Sequence, residues 1–87
     1  MIDEAIAEYK KAISINPDFA EAHLNLGITY YINKMNDASA DYLYKAGLLY
    51  LKQGDREGAL KMYEVLKLTK SEELEKALYK KLYPDIK

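Results

Sequence analysis

The sequence predicts an all-α protein of about five helices, arranged as antiparallel helix-turn-helix repeats, on three observations. Apolar residues recur at three- and four-residue spacing over long stretches, the period of a helix with one buried face. These stretches are interrupted at Asn16-Pro17, Asn33 to Asp37, Gly54-Asp55 and Thr69 to Ser71, chemistry that stops or starts helices. The spacings of one segment, Ala5 to Tyr31, return downstream, which marks a repeat scaffold. No strand is expected.

The first helix is expected over about 3–15, with Ile2, Ile6, Tyr9 and Ile13 on one stripe and Glu4, Glu8, Lys10 and Lys11 mostly on the other. Asn16-Pro17 stops it, because the residue before a proline is pushed out of helical geometry. The second helix, about 19–33, has Asp18 as its expected cap and Glu21 as capping-box partner. It carries Leu24, Leu26, Ile28, Tyr30, Tyr31 and Ile32 and is apolar nearly all round. The next turn offers Asn36 or Asp37 as cap but lacks the glycine that usually ends a helix, so it could be bent or straightened into one long rod. A third helix over about 37–53 ends at Gly54, suited to a left-handed exit, and Asp55 caps a fourth over about 56–68. Thr69 or Ser71, followed by Glu72 and Glu73, opens a fifth over about 71–83 whose buried stripe is Leu74, Ala77, Leu78 and Leu82. The 87 residues make one domain.

The repeat has two intervals. Ala5, Tyr9, Ala12 and Pro17 return after about 34 residues as Ser39, Leu43, Ala46 and Leu51, with only the proline chemically lost. Leu26, Gly27 and Tyr30 return at a shorter interval, about 20 residues, as Ala46, Gly47 and Tyr50. Ser39, Leu43 and Ala46 return at the same shorter interval as Ala59, Tyr63 and Leu66. Gly27 and Gly47 fall inside helices, where each costs about 1 kcal/mol relative to alanine, so close approach of a neighbouring helix is expected at both. Ala5, Ala12, Ala46 and Ala59 serve the same end, and Tyr9, Tyr30, Tyr50 and Tyr63 fill the spaces between those contacts.

A leucine-glycine pair, a tyrosine three residues after the glycine, then alanine, aromatic, alanine and a closing proline resembles the tetratricopeptide repeat (TPR), a helix-turn-helix unit of about 34 residues. The resemblance is strong over Ala5 to Tyr31 and extends over roughly Ala40 to Lys70, leaving only the last helix outside it. It implies a TPR-like α-α superhelix, but an irregular one. The third helix follows the second at the shorter interval and not at the full repeat length, and the shortfall equals one helix. Leu43, Ala46 and Tyr50 then satisfy two readings at once, with the third helix closing one repeat and opening the next. By the same resemblance the first helix is the second half of a repeat. Its stripe of Ile2, Ile6 and Ile13 is therefore expected to need cover, from a longer array or from a second copy that packs on it or exchanges helices with it.

Composition narrows the function. A net charge of -1 with 31% charged residues gives no electrostatic reason to expect nucleic acid or an anionic membrane as partner. There is no cysteine, so disulfides and thiolate metal sites are excluded, and no apolar run approaches the roughly 18 residues of a membrane span. The acidic opening Met1-Ile2-Asp3-Glu4 does not read as a signal peptide, and a soluble, cytoplasmic protein is the default.

No catalytic residue, metal site or cofactor is expected. His23 is the only histidine, and it sits where the repeat family places a large interface residue. No Ser-His-Asp, Cys-His or His-x-x-x-His arrangement and no glycine-rich phosphate loop is present. Glu72 and Glu73 are favourable charges at a helix start. Nine tyrosines are many for this length, and Tyr31, Tyr42, Tyr44, Tyr79 and Tyr83 lie outside the repeat positions, which makes them interface candidates beside an ordinary role in rim packing.

In TPR proteins the partner usually lies in a concave groove. Carried over by position, that groove would be lined by Leu24, Asn25, Ile28 and Tyr31 of the second helix and by Tyr44, Leu48, Leu51 and Lys52 of the third. Leu24, Ile28, Tyr44 and Leu48 occupy the main places of the lysine and asparagine clamp that grips acidic tails in some members, so that clamp is not supported. The resemblance implies a non-catalytic protein-interaction module taking an apolar or amphipathic peptide or helix. The alternative is a truncated or engineered repeat whose main property is self-association as a homodimer.

Overall fold

Five α-helices follow one another through short turns: α1 (Ile2–Ile15), α2 (Ala20–Ile32), α3 (Asn36–Lys52), α4 (Arg56–Leu66) and α5 (Glu72–Leu82), with one 3₁₀ turn at Lys67–Thr69. They are the elements of a computed structural model that describes residues 2–85. No strand occurs among the described residues. The fourth helix stops before the expected 68 because Leu66 passes into that 3₁₀ turn, and Lys70 then takes the left-handed conformation (φ 58°).

The turns explain the sharp reversals. After α3, Gly54 adopts φ +80°, and the amides of Gly54 and Asp55 donate to the carbonyls of Leu51 and Tyr50 at 3.0 and 2.8 Å. This double bond pattern closes the helix end and satisfies its last carbonyls. In the turn before α3 the same pattern recurs without a glycine. Lys34 takes φ 62°, and the amides of Lys34 and Met35 donate to Tyr31 and Tyr30 at 3.0 and 2.9 Å. The glycine-free turn is therefore bent, and a lysine bears the left-handed strain, which costs roughly 1–2 kcal/mol in a non-glycine residue.

Helix starts depart from the expected caps. Phe19, not Asp18, occupies the N-cap of α2, and no side chain caps it. Asp18 is held elsewhere: its amide donates to Asn16 Oδ1 at 3.2 Å and its carboxylate pairs with Lys52 at 3.2 Å, so the capping box with Glu21 does not form. Met35 stands at the N-cap of α3 in place of Asn36 or Asp37, again without a side-chain bond. Ser71 does sit at the N-cap of α5, but its hydroxyl lies 3.0 Å from Thr69 Oγ1 and does not bond the first amides. Asp55 alone caps as expected, accepting from the Gly58 amide at 2.8 Å.

α3 is the central element. It packs on α2 along one side and on α4 and α5 along the other, while α1 packs on α2. The main cluster of buried residues comes from α3, α4 and α5: Ala40, Leu43 and Ala46 meet Ala59, Met62 and Leu66, with Leu78 and Leu82 across from them. α2 adds buried Ala20, Ala22, Leu26 and Tyr30. α1 buries no residue fully. The result is a flat molecule of 43 × 26 × 16 Å.

Both helical glycines mark a close approach. A Cβ on Gly27 would lie 2.6 Å from Leu43 Cγ and 3.3 Å from the Leu43 backbone nitrogen. The absent side chain also lets the buried Ser39 hydroxyl of α3 donate to the Gly27 carbonyl at 2.6 Å. At Gly47 the obstacle is α5, with Leu78 methyls at 2.9 and 3.1 Å. Ala46 and Ala59 are fully buried in the same layer, whereas Ala5 and Ala12 on α1 are half-buried.

Substitutions at three positions test these contacts. Gly27→Ala meets a branched carbon and backbone, so an overpacking cost of about 1–3 kcal/mol outweighs the roughly 1 kcal/mol gain in helix propensity. Its thermal midpoint should fall by about 5–10 °C. Gly47→Ala meets only methyl groups of one leucine and should move the midpoint less, although Gly47→Leu should disrupt the fold. Lys34→Gly relieves the left-handed strain of roughly 1–2 kcal/mol but adds about 0.5–1 kcal/mol of chain entropy to the unfolded state, so it should raise the midpoint by only a few degrees. Thermal denaturation followed by circular dichroism checks all of these.

Candidate functional site

α2 and α3 run antiparallel, with the Asp18–Lys52 pair at one end and the Lys34 turn at the other. α3 and α5 run in the same direction, since Arg56 at the start of α4 bonds the Leu82 carbonyl at the end of α5. The structure therefore puts α4 antiparallel to both of its neighbours.

The proposed groove residues fall into two groups. On α2, Ile28 and Tyr31 are 39% and 38% exposed, and Ile32 beside them is 66% exposed. The spacing i, i+3, i+4 makes a continuous apolar strip on the solvent side of a helix whose opposite side is buried. Leu24 and Asn25 are half-buried, and the Asn25 carbonyl accepts the Thr29 hydroxyl at 2.8 Å. On α3, Tyr44, Leu48 and Leu51 are half-buried and lean on the main core, as Leu24 does. Lys52 is tied to Asp18, and Gln53 Nε2 donates to the Asp18 carbonyl at 3.1 Å, so these two residues clip the 16–19 turn to the end of α3. The clip is exposed and contributes little stability.

On α1, Ile2 is 39% exposed, whereas Ile6 and Ile13 are half-buried. A small cleft lined by Ile2, Ala5, Thr29 and Ile32 separates this helix from α2.

His23 is buried. Its Nε2 lies 3.0 Å from the Pro17 carbonyl, an acceptor, so this nitrogen carries the proton and anchors the turn before α2. Its Nδ1 is buried without a partner. The ring centroid lies 6.0 Å from that of Tyr42, which stacks in turn on Tyr30 at 5.6 Å. Tyr42, an interface candidate by sequence, thus packs between α2 and α3. No group of three His, Asp or Glu side chains among the described residues is placed to hold a metal ion.

Tyr79 and Tyr83, interface candidates by sequence, belong to a second surface whose cleft sequence reasoning did not place. Tyr63 of α4, Tyr79 of α5 and Tyr83 form a chain of rings with centroid distances of 5.8 and 4.9 Å. The Arg56 guanidinium lies 4.8 Å over Tyr83, and the Lys67 ammonium 5.1 Å over Tyr63. Between α4 and α5 opens a cleft of 380 Å³ lined by Tyr63, Tyr79, Glu72, Glu75, Lys76 and Lys80. The sequence singled out Tyr79 and Tyr83 but assigned Tyr63 to repeat packing, so the cleft that Tyr63 shares with Tyr79 was not read from it.

A succession of antiparallel helices with small residues at the contacts defines a helical-repeat scaffold. A family model described as TPR repeat matches residues 2–33, and a second, described as tetratricopeptide repeat, matches residues 40–64. The chain belongs to the tetratricopeptide repeat family, whose repeats generally mediate protein–protein interaction. No curated protein matches the chain. The second match opens on α3, the helix that in the fold also closes against α2. No helix among the described residues is long and apolar enough to cross a membrane.

Tyr50 titrates above its ordinary range. Burial, and then the carboxylates of Glu21 and Asp55, raise the Tyr50 hydroxyl above the ordinary phenol value of 10.0. The fold thus favours the neutral phenol, a contribution fully present below pH 10.0 and lost as pH rises through the raised value. In urea denaturation above pH 10.0, the native protein should lose stability faster than Tyr50→Phe, and below that pH the gap between the two should be constant.

Proposed function

We propose that the protein is a non-catalytic interaction module that binds an apolar or amphipathic segment of a partner protein. The observation that carries this reading is the strip of Ile28, Tyr31 and Ile32. Leaving these apolar side chains partly open forfeits the exposed fraction of the burial energy, roughly 0.6–1.2 kcal/mol for Ile28 and about 1–2 kcal/mol for Ile32, which a docked partner recovers. Leu24 on α2, and Tyr44, Leu48 and Leu51 on α3, are half-buried apolar neighbours in the proposed groove. Asn25 and Lys52 supply its polar groups. An amphipathic helix with anchors three and four residues apart suits a surface of this chemistry.

Self-association is the second reading, favoured by α1, which buries no residue and leaves Ile2 open beside half-buried Ile6 and Ile13. Packing of two copies is the simpler form of it. Exchange of helices would require the turn at Lys34 to straighten.

Because Leu48 also leans on the core, its replacement would mix binding with stability, whereas Ile28 is open to solvent. An apolar amphipathic peptide selected from a displayed library should bind the native protein, and Ile28→Glu should weaken it at least about tenfold, one buried apolar anchor being worth that much. Fluorescence anisotropy checks this, with circular dichroism at the assay temperature showing that the variant stays folded. Equal binding by Ile28→Glu would remove the strip from the site.

A further inference from the structure

The ladder of Tyr63, Tyr79 and Tyr83 carries a cation at each end and none in the middle. Lys67 lies 5.1 Å over Tyr63 and Arg56 lies 4.8 Å over Tyr83. Among the described residues no ammonium or guanidinium is seated on Tyr79, the ring between them. Tyr79 is also the most open of the three, at 39% exposed against two half-buried neighbours. The face of an aromatic ring is electron-rich and attracts cations, so the fold already uses this chemistry twice within one ladder.

Tyr63 and Tyr79 line the 380 Å³ cleft between α4 and α5, a volume at the small end of ligand-binding clefts. Glu72, Glu75 and Tyr79 lie three and four residues apart, which puts both carboxylates and the ring on one face of α5. Burial divides the charged residues of the cleft. Glu75 is half-buried, whereas Lys76 and Lys80 are exposed, so a carboxylate lies within the cleft and the lysines stand at its lip. Among the described residues neither Glu72 nor Glu75 has an ion-pair partner. A partly buried carboxylate beside apolar rings gains more from an incoming cation than one in open water does.

We infer that this cleft is a second binding site, which takes the guanidinium of an arginine side chain presented by a partner protein. The planar group can lie on the Tyr79 face while its edge donates to the Glu75 carboxylate, with Glu72 beside it. A lysine ammonium has no plane to stack and holds its water more tightly, so arginine is the better match. The lysines at the lip keep their ammonium groups in water, where salt screens their repulsion, and their stems extend the apolar wall. The site is built from α4 and α5 and shares no residue with the strip on α2. It therefore goes beyond the groove reading and stands or falls apart from it.

The test titrates N-acetylarginine N-methylamide into the full-length protein while NMR follows the tyrosine ring signals. The Tyr63 and Tyr79 signals should shift together and saturably. The citrulline analogue, similar in shape without the charge, should bind at least about tenfold more weakly. Glu75→Gln should weaken arginine binding about tenfold, and Tyr79→Leu, followed at Tyr63, about threefold or more. Ile28→Glu should bind the probe as the native protein does. Native positions of the Tyr9 and Tyr30 signals show that each variant is folded. Equal binding of the arginine and citrulline probes would overturn the inference, as would equal binding by Glu75→Gln or the lack of a saturable shift at Tyr79. Tighter binding of N-acetylglutamate N-methylamide than of the arginine probe would show that the lysines define the cleft, and would overturn it as well.

Discussion

α3 can hold the fold together only because two glycines let helices touch it, or let it touch them, at backbone distance. Leu43 sits against the surface of α2 where Gly27 has no side chain, and the Ser39 hydroxyl reaches the Gly27 carbonyl through the same gap. On the other side Leu78 of α5 occupies the space over Gly47. Remove either vacancy and a helix must move outward. Leu26 with Tyr30, and Leu66 with Leu82, would then lose part of the burial that offsets the entropy of ordering the chain.

That double engagement is what a repeat array with one helix fused or deleted would require. Toward α2, α3 behaves as the returning half of a repeat, and toward α4 as the opening half of the next. The two matched segments, 2–33 and 40–64, fall on either side of the turn where the period breaks. α3 runs with α5 and against α2 and α4, so the helices alternate in direction through the succession. The turns on either side of α3 use one hydrogen-bond pattern, with Lys34 accepting at one end the conformation that Gly54 adopts easily at the other.

Much of this was legible in the sequence because it depends on spacing. The helices, the role of Gly27 and Gly47, the left-handed exit at Gly54 and the Asp55 cap all follow from local patterns that the tertiary structure leaves alone. The caps at Asp18 and Asn36 were not legible, since a distant residue, Lys52, holds the Asp18 carboxylate, and Phe19 and Met35 take the cap positions with no side-chain bond. Tyr42 looked available because its partners, Tyr30 and His23, lie on another helix. For the candidate groove, the sequence supplied the exposed Ile28 and Tyr31 but could not say that Leu48 and Tyr44 lean on the core. The cleft over Tyr63 and Tyr79 depends on how α4 and α5 meet, and α5 lies outside the repeat pattern.

The claim that α3 serves both halves is tested most directly by native-state hydrogen exchange in rising denaturant. Amides of α2, α3 and α4 should exchange only through one shared opening, with the same free energy and denaturant dependence, while α1, which buries no side chain, opens earlier. If α2 instead opened independently at low free energy while α3, α4 and α5 stayed protected, α3 would belong to one repeat alone, and the account of a shared helix would be wrong.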